Sequence, residues 1–507
     1  MSDSILKLDT AIVGGGVTGL YTCLELYKKK GPDHKMALFE SSGRFGGRIE
    51  TVEMDGFLAE YGPMRFEKKG QPLLMNLIRE LGLETCYFHP YTPATDPESL
   101  FNLWEDEDHV SPGEPTGGQL NTLDLLRLGI LRILQKSGGD VNNPHDPRHR
   151  DWWAGVDEAF YHQVRNTLNF QEEPLSNTGF WNVLNKVLSH KAVNKIIHYG
   201  TFYHVIHENP SAAEWIIFWL RGLHPHDELV GIKQGAETLI TELVKKLSSL
   251  QPEAVPLYLN HRLTTIREAE ENHILIEFQN NDGNTVKVLT RHLVLAIAQS
   301  PLKKLTPFLP EYIGRLVYSV IPIPLLKCFF VTKDPWWDGN TKPQTRASSV
   351  PTRELHYYYR EEGKDRRGMV MVYGDKPSMN YWMPFVKNEP HLKAELNQDE
   401  RLLEQYLKYL SPNPGTDDRE EREAQLKAIT CFGIHDWSRQ PFEAGCHIWK
   451  PGAKIEEAIN ELTGCSLSGS SSECKNVHIC GEAYSDYQGF IEGGLRTALT
   501  AIEQIKQ

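Results

Sequence analysis

The 507-residue sequence predicts an α/β fold in which the first and last parts of the chain share one sheet with parallel strands. Residues 8–13 form a short apolar run before a glycine-rich turn, residues 20–30 have a helical pattern, and residues 36–40 form a second apolar run ending in an acid. A strand, a helix and a strand within about 30 residues indicate a β-α-β unit. Similar apolar runs return at residues 293–298 and 477–480, before a helical pattern over residues 493–507. We therefore expect other domains to be inserted between the two ends.

The middle of the chain predicts those insertions. Residues 153–250 have helical periodicity and many aromatic side chains, which favours a helical domain. Residues 352–385 alternate as the strands of a mixed or antiparallel sheet do, and residues 391–412 and 417–428 are charged and helical.

Composition excludes several classes of protein. The chain has 54 Lys and Arg against 67 Asp and Glu, a formal charge of −13, which disfavours binding to nucleic-acid phosphates. No apolar run approaches the roughly 18 residues of a membrane span, and the first strand follows Met1 too closely for a signal peptide. The eight cysteines form no CxxC pair, and no His/Cys cluster has metal-ligand spacing. We expect a soluble cytoplasmic protein with no membrane, nucleic-acid or metal partner, and the acidic surface is compatible with a homodimer.

The turn after the first strand predicts a dinucleotide site. Gly14, Gly16 and Gly19 have the GxGxxG spacing, and Glu40 closes the next strand. The glycines permit a tight turn and a close approach to a pyrophosphate, and the helix N-terminus offers free N–H groups to that anion. Glu40 can accept hydrogen bonds from ribose hydroxyls.

The segment after Glu40 adds a second phosphate-binding element. Arg44-Phe-Gly46-Gly47-Arg48 combines two glycines with two arginines, whose forked donors suit a phosphate. The GxGxxG context alone serves NAD and FAD equally, and this segment favours FAD.

Both ends of the chain resemble one family, the flavin amine oxidases, which include L-amino acid, monoamine and polyamine oxidases. Their long dinucleotide motif ends in R-x-G-G-R, and residues 481–494 (GEAYSDYQGFIEGG) resemble their closing flavin motif. The resemblance implies a Rossmann-like FAD-binding domain of the glutathione-reductase/amine-oxidase type, a mixed-sheet substrate domain and an inserted helical domain. We expect the FAD-binding domain at residues 1–70, 230–325 and 430–507, the substrate domain at 71–104 and 326–429, and the helical domain at 105–229.

The resemblance also implies the cofactor contacts. Glu482 would hold the ribityl side, and the backbone of residues 488–491 would face the pyrimidine edge. Cys446 lies near the position where monoamine oxidases attach FAD through sulfur, but the local spacing differs, so non-covalent FAD is predicted. The predicted cofactor-binding residues are Gly14, Gly16, Val17, Thr18, Gly19, Glu40, Ser41, Arg44, Gly46, Gly47, Arg48, Gly62, Pro63, Met64, Arg65, Leu263, Glu482, Gln488, Gly489, Phe490 and Ile491.

Three residues are predicted to be catalytic. Gly62-x-Met64-Arg65 matches the element that, in the L-amino acid oxidase branch (bacterial type), places an arginine over the flavin for the substrate carboxylate. A guanidinium binds a carboxylate through two parallel charge-assisted hydrogen bonds. Tyr357 is the tyrosine predicted to share that carboxylate, although strand alternation leaves the register open. Lys327 matches the lysine that holds a water against flavin N5.

The predicted substrate-binding residues are Arg65, Tyr357, Trp449, Gly489 and Phe490. His447 and Phe490 occupy the positions of the two cage tyrosines of monoamine oxidases, so that cage is not reproduced. The resemblance thus predicts FAD-dependent oxidation of an L-α-amino acid by O₂ to the 2-oxo acid, ammonia and H₂O₂. The alternatives are a monoamine or polyamine oxidase, an amino-acid monooxygenase, and a flavin-binding protein without turnover.

Overall fold

The computed structural model describes residues 5–88, 122–142, 154–199, 208–222, 228–250, 255–345, 351–374, 376–385, 400–411, 418–468 and 475–505. Its strands, in chain order, are β1 (Leu6–Val13), β2 (Met36–Phe39), β3 (Thr51–Met54), β4 (Phe57–Glu60), β5 (Phe66–Glu67), β6 (Thr85–Tyr87), β7 (Asn169–Phe170), β8 (Glu173–Pro174), β9 (Leu229–Ile232), β10 (Leu257–Tyr258), β11 (His261–Glu268), β12 (Ile274–Asn280), β13 (Thr285–Leu295), β14 (Val320–Ile323), β15 (Leu326–Lys333), β16 (Gln344–Thr345), β17 (Glu354–Glu362), β18 (Asp365–Gly374), β19 (Ile429–Asp436), β20 (Cys446–Trp449) and β21 (Val477–Ile479).

The helices are α1 (Val17–Lys30), α2 (Pro72–Glu80), α3 (Thr122–Lys136), α4 (Glu158–Asn166), α5 (Phe180–Leu184), α6 (His190–Tyr199), α7 (Ala212–Gly222), α8 (Glu237–Ser249), α9 (Gln299–Leu305), α10 (Glu311–Val317), α11 (Lys376–Trp382), α12 (Glu400–Tyr409), α13 (Arg419–Ala428), α14 (Ile455–Thr463) and α15 (Ile491–Gln504). Within the described ranges, no helix is long and apolar enough to cross a membrane.

The first sheet joins distant parts of the chain, as predicted. Its order is β10-β2-β1-β13-β12-β11, and β21 pairs with β13. The strands β1, β2, β10 and β21 run parallel to their neighbours, whereas β11, β12 and β13 pair in an antiparallel way. One face is covered by a core to which α1, α8 and α15 contribute, and the other by a core to which α10 and α14 contribute. The predicted fold class is confirmed.

The second sheet is antiparallel, in the order β16-β17-β18-β15-β19. Alternation divides it into two faces: Leu326, Cys328 and Leu355 enter a core shared with α11 and α12, while Phe329 and Val331 enter a core shared with the β3–β4 hairpin of the first domain. Residues 376–385, predicted as a strand, form α11 and a 3₁₀ turn instead. This change lets Trp382 fill the core with its whole ring while its indole N–H donates to Pro351 O.

Two domain boundaries differ from the prediction. The expected boundary at residue 430 falls inside β19, which pairs with β15 and so belongs to the second sheet. Helix α2, expected in the substrate domain, packs Leu74, Leu77 and Ile78 into the core of the first domain. The helices α3 to α7 share a core of their own, in agreement with the predicted helical insertion.

Candidate functional site

The dinucleotide turn has the close packing that its glycines require. Gly14 has φ +112°, and a Cβ there would lie 2.3 Å from Ala296 O. A Cβ at Gly19 would lie 1.9 Å from Gly14 O, which fixes α1 against β1. Gly16 differs, because the nearest atom to an added Cβ is 4.0 Å away. The open side of Gly16, just before Val17 and Thr18 begin the helix, is a cradle for an anion.

Glu40 closes one side of this cradle. Its Oε2 accepts the Gly15 N–H at 2.6 Å, and its Oε1 accepts the Ser42 N–H at 2.7 Å and faces the Ser41 hydroxyl at 3.2 Å. Leu263 lies on β11, two residues beyond His261, whose N–H donates to Glu40 O at 2.7 Å. The predicted ribose-side residues are therefore brought together.

The side chains of Arg44 and Arg48 donate hydrogen bonds to backbone oxygens of the protein, so these donors do not point freely at a phosphate. Arg44 donates to Ile49 O at 3.1 Å and to Gly47 O at 2.6 Å. Arg48 donates to Gly445 O at 2.8 Å and lies 3.0 Å from Glu482 Oε2. The segment reaches the dinucleotide turn through Gly46, whose N–H donates to Gly15 O at 2.8 Å. Where this segment meets the dinucleotide turn, backbone groups are therefore more available to a phosphate than the two guanidinium groups are.

Glu482 connects the two ends of the chain through hydrogen bonds and an ion pair. Its Oε1 accepts the N–H groups of His447 at 2.8 Å and Gly489 at 3.0 Å, and its Oε2 faces His447 Nδ1 at 3.1 Å as well as Arg48. Burial raises the pKa of Glu482, but Arg48 and His447 outweigh burial and lower it to about 2. The carboxylate is therefore ionised and holds residues 48, 447 and 489 around one point.

His447 leaves one polar atom for a ligand. Its side chain is fully buried, and its Nε2 has no hydrogen-bond partner among the described residues. Burial lowers the pKa of His447, so the ring is neutral. A buried nitrogen without a hydrogen-bond partner costs free energy. A bound dinucleotide whose polar groups reach both His447 Nε2 and the open side of Gly16 would remove that cost. The residues present therefore fit a flavin.

The segment before Arg65 connects this cradle with the second sheet. A Cβ at Gly62 would lie 2.1 Å from Arg48 O, so Gly62 packs against the segment of residues 44–48 that reaches the dinucleotide turn. Lys327, on β15, donates from Nζ to Glu60 O at 2.9 Å and to Gly62 O at 2.5 Å. Burial lowers the pKa of Lys327 to about 7. The structure thus brings the predicted Lys327 and Pro63–Met64 region together.

Arg65 is paired with a residue that the sequence analysis did not single out. Its Nη1 lies 3.5 Å from Glu354 Oε1, and the same oxygen faces His356 Nε2 at 2.6 Å. Strand register places Glu354, Tyr373 and Lys327 abreast on β17, β18 and β15. The signal in the sequence was the alternation Glu354-Leu355-His356, which puts two polar groups on the face opposite the apolar one.

The structure corrects the predicted position of Tyr357. It lies on the other face of β17, with its ring 5.5 Å from Trp336 and 5.4 Å from Trp337. The alternation that sends Leu355, Tyr357 and Tyr359 into the core with Trp337 leaves Tyr358 on the face of Glu354 and His356. Tyr358 is therefore the tyrosine on the side of Arg65, and burial raises its pKa.

The remaining predicted residues divide into two groups. The Trp449 ring is fully buried in the core of the first domain, with its indole N–H on Ser485 O at 2.8 Å, which is a packing position and not the predicted substrate contact. Gln488 supports it by accepting the Trp449 N–H at 2.7 Å. Phe490 stacks on Phe218 at 5.7 Å, and together they line a small, partly open cleft of about 20 Å³. Gly489 and Ile491 flank Phe490 at the start of α15.

Cys446 is a free thiol whose pKa is raised by burial.

Comparison with known proteins agrees with this geometry. The family described as flavin containing amine oxidoreductase matches residues 17–506, and the chain belongs to that family. Aplysianin-A of Aplysia kurodai is 22% identical over 97% of this chain and 89% of its own length. L-amino acid oxidase Bs29 of Bothriechis schlegelii is 20% identical over 98% of this chain and 89% of its own length. The protein is thus a flavin-dependent amine oxidoreductase, as the sequence resemblance predicted.

Solved structures support the same fold. A triple mutant of putrescine oxidase with redesigned cofactor binding has a TM-score of 0.63 at 16% identity, covering 99% of both chains. Wild-type putrescine oxidase bound to putrescine has a TM-score of 0.58 at 17% identity, again covering 99% of both chains.

Proposed function

We propose that this protein oxidises an L-α-amino acid to the 2-oxo acid and ammonia, with non-covalently bound FAD and O₂ as oxidant. The observation that carries the proposal is Arg65: a mostly buried guanidinium, next to the segment that packs against residues 44–48. A buried arginine at this place suits a substrate with a carboxylate, because the pair would be charge-assisted and bidentate. The L-amino acid oxidase relative is a second support.

The residues of the chain would divide the work as follows. Gly14, Gly16 and Glu40 would hold the dinucleotide, and Glu482 would fix the other end of the cradle through Arg48 and His447. Arg65 would bind the substrate carboxylate and so fix the α-carbon, which converts binding energy into rate. Lys327, uncharged above a pKa of about 7, would position a water without adding a charge to the site.

When bound, the flavin would supply the two-electron redox chemistry between the substrate and O₂, which gives H₂O₂. Lys327, Glu354 and His356 are buried, so bulk water would be excluded from this part of the site.

One observation favours a second candidate, the oxidation of an amine without a carboxylate. Glu354 already neutralises Arg65 in this structure, so the arginine has a partner even when no carboxylate is bound. The structural likeness to putrescine oxidase is compatible with this candidate.

The test is anaerobic mixing of the purified yellow protein with each of the twenty standard amino acids and with mono- and diamines, following flavin absorbance. We expect bleaching by one or a few amino acids, and Arg65→Gln should raise the Kd of that amino acid by about 10–100-fold, the value of a charged hydrogen-bond pair. Arg79→Gln, an exposed change on α2, is the control.

Bleaching by amines alone would overturn the proposal in favour of the second candidate. An amide product with loss of CO₂ would identify a monooxygenase. A cytoplasmic location stays a prediction, which the free thiols among the described cysteines support.

A further inference from the structure

The ion pair of Arg65 and Glu354 puts opposite charges side by side on the substrate side of the site. The 3.5 Å between Nη1 and Oε1 is longer than the usual length of about 2.7–2.9 Å for a charge-assisted hydrogen bond. The two side chains come from different parts of the fold, a loop after β4 and the first residue of β17. The contact between these two side chains is therefore long, although each also interacts with other groups.

Glu354 is surrounded by groups that keep it in place. His356 Nε2 lies 2.6 Å from its Oε1, and burial lowers the pKa of His356, which favours the neutral imidazole. The ring of Tyr373 lies 5.2 Å from Lys327 Nζ, between Lys327 and Glu354 in the register. Among the described residues, the titratable and charged groups that interact with Glu354 or with its immediate neighbours are Glu60, Arg65, Cys86, Lys327, His356, Tyr358, Tyr373 and Cys446.

An α-amino acid is a zwitterion, with an ammonium and a carboxylate on the same carbon. Adjacent positive and negative groups on the protein are complementary to it. A ligand with only a carboxylate would meet repulsion from Glu354, and a ligand with only an ammonium would meet repulsion from Arg65.

We propose, on the basis of the proposed function, that Glu354 binds the α-ammonium group of the substrate and accepts its proton while Arg65 binds the carboxylate. The substrate replaces the internal ion pair with two external ones, so no buried charge is left unpaired. Glu354 is thereby a catalytic residue for the amine half of the substrate.

The proton step is simple. One N–H bond of the ammonium breaks, its electron pair stays on nitrogen, and the proton bonds to a carboxylate oxygen of Glu354. The amine then has the lone pair that assists loss of a hydride from the α-carbon. Lys327 is less well placed to take this proton, because its Nζ is held by the carbonyl oxygens of Glu60 and Gly62.

The experiment uses the holoenzyme and three matched ligands. These are the amino acid that reduces the flavin fastest, its analogue without the ammonium, and its analogue without the carboxylate; for L-phenylalanine the analogues are 3-phenylpropionate and 2-phenylethylamine. Each is titrated against wild type, Glu354→Gln and Glu354→Asp, following the flavin spectrum for binding and anaerobic reduction for rate.

In Glu354→Gln we expect the reduction rate at pH 7 to fall by about 100-fold, the usual value of a positioned base. The Kd of the amino acid should rise, whereas the Kd of 3-phenylpropionate should fall, because the repelling carboxylate is gone. A misfolded variant would lose both ligands, so opposite signs exclude a merely structural effect. Raising the pH to 10 should restore most of the rate, since free amine then enters the site, and Glu354→Asp should restore part of it at pH 7.

Equal rates in wild type and Glu354→Gln, with the amino acid still reducing the wild-type flavin, would overturn this inference and leave the proposed function standing. Tighter binding of 2-phenylethylamine than of the amino acid to wild type would overturn the zwitterion pairing. Reduction by amines and by no amino acid would remove the proposed function itself.

Discussion

Two buried ion pairs in this molecule have the same chemistry but different geometry. In the helical domain Arg165 on α4 meets Glu214 on α7 with two hydrogen bonds, 2.6 Å from Nε and 2.9 Å from Nη2. On the second sheet Arg65 meets Glu354 at 3.5 Å. Glu214 raises the pKa of Arg165 against the opposing effect of burial. The first pair is bidentate and joins two helices, whereas the second is one longer contact between a loop and a strand.

This difference separates two roles that a buried ion pair can have, one in stability and one in ligand binding. A closed bidentate pair holds two helices together and offers nothing to a substrate. A contact of 3.5 Å between a loop residue and a strand residue is weaker than this bidentate pair. Single substitutions in the two pairs should therefore separate stability from binding.

The largest expected effect is on stability, from Glu214→Gln. This change leaves the Arg165 guanidinium buried without its countercharge, and we expect a loss of about 3–5 kcal/mol in the free energy of unfolding. Guanidinium chloride unfolding followed by circular dichroism measures it. Glu84→Gln, which breaks an exposed pair with Lys233, is the control and should leave the unfolding midpoint unchanged. An equal effect of the two changes would remove the distinction drawn above.

A smaller loss of stability is expected for Arg65→Gln. Glu354 keeps its contact with His356, and the lost contact with Arg65 is long, so we expect about 1.5–3 kcal/mol, the range of a hydrogen bond to a charged group. The same unfolding experiment measures it, beside the rise in substrate Kd given above. A loss as large as that of Glu214→Gln would mean that Arg65 is a structural residue.

The third effect, at most about 1.4 kcal/mol for each unit of pH, concerns the pH dependence of stability at Lys327. Burial lowers its pKa from 10.5 to about 7, so between these values the unfolded chain binds a proton that the folded chain does not. Stability therefore rises with pH across that window, by at most about 1.4 kcal/mol per pH unit, and is flat below it. In Lys327→Met this dependence should be absent.

The measurement compares unfolding of wild type and Lys327→Met at pH 6, 8 and 10. The difference in unfolding free energy should grow from pH 8 to pH 10, whereas Lys454→Met, at an exposed lysine, should show no such trend. A difference that stays constant with pH would mean that Lys327 is charged throughout.

The sequence was most informative where neighbours in sequence are neighbours in space. Gly14, Gly16, Gly19 and Glu40 were identified correctly as one turn and one strand end, because a β-α-β unit is nearly local and each glycine has a steric reason. The helical insertion and the antiparallel second sheet also followed from periodicity.

The sequence was least informative where strand register and pairing between distant residues decide the surroundings of a side chain. Tyr357 was chosen over Tyr358, since alternation alone does not say which face of β17 meets the first domain. Glu354 was missed because its partner Arg65 is almost 300 positions away in sequence, a pairing of charges that no local pattern reports. Trp449 was predicted at the substrate but fills a core, because its indole N–H finds Ser485 O there.

By itself, therefore, the sequence determined the fold class, the flavin family and the nucleotide turn, which depend on short-range sterics and on motifs that tolerate little change. Only the tertiary structure decided which charges meet: Arg48 with Glu482 and Arg65 with Glu354. The physical reason is that burial makes the strength of a charge depend on its immediate partner, and the partner is set by how two sheets pack, not by the order of residues along the chain.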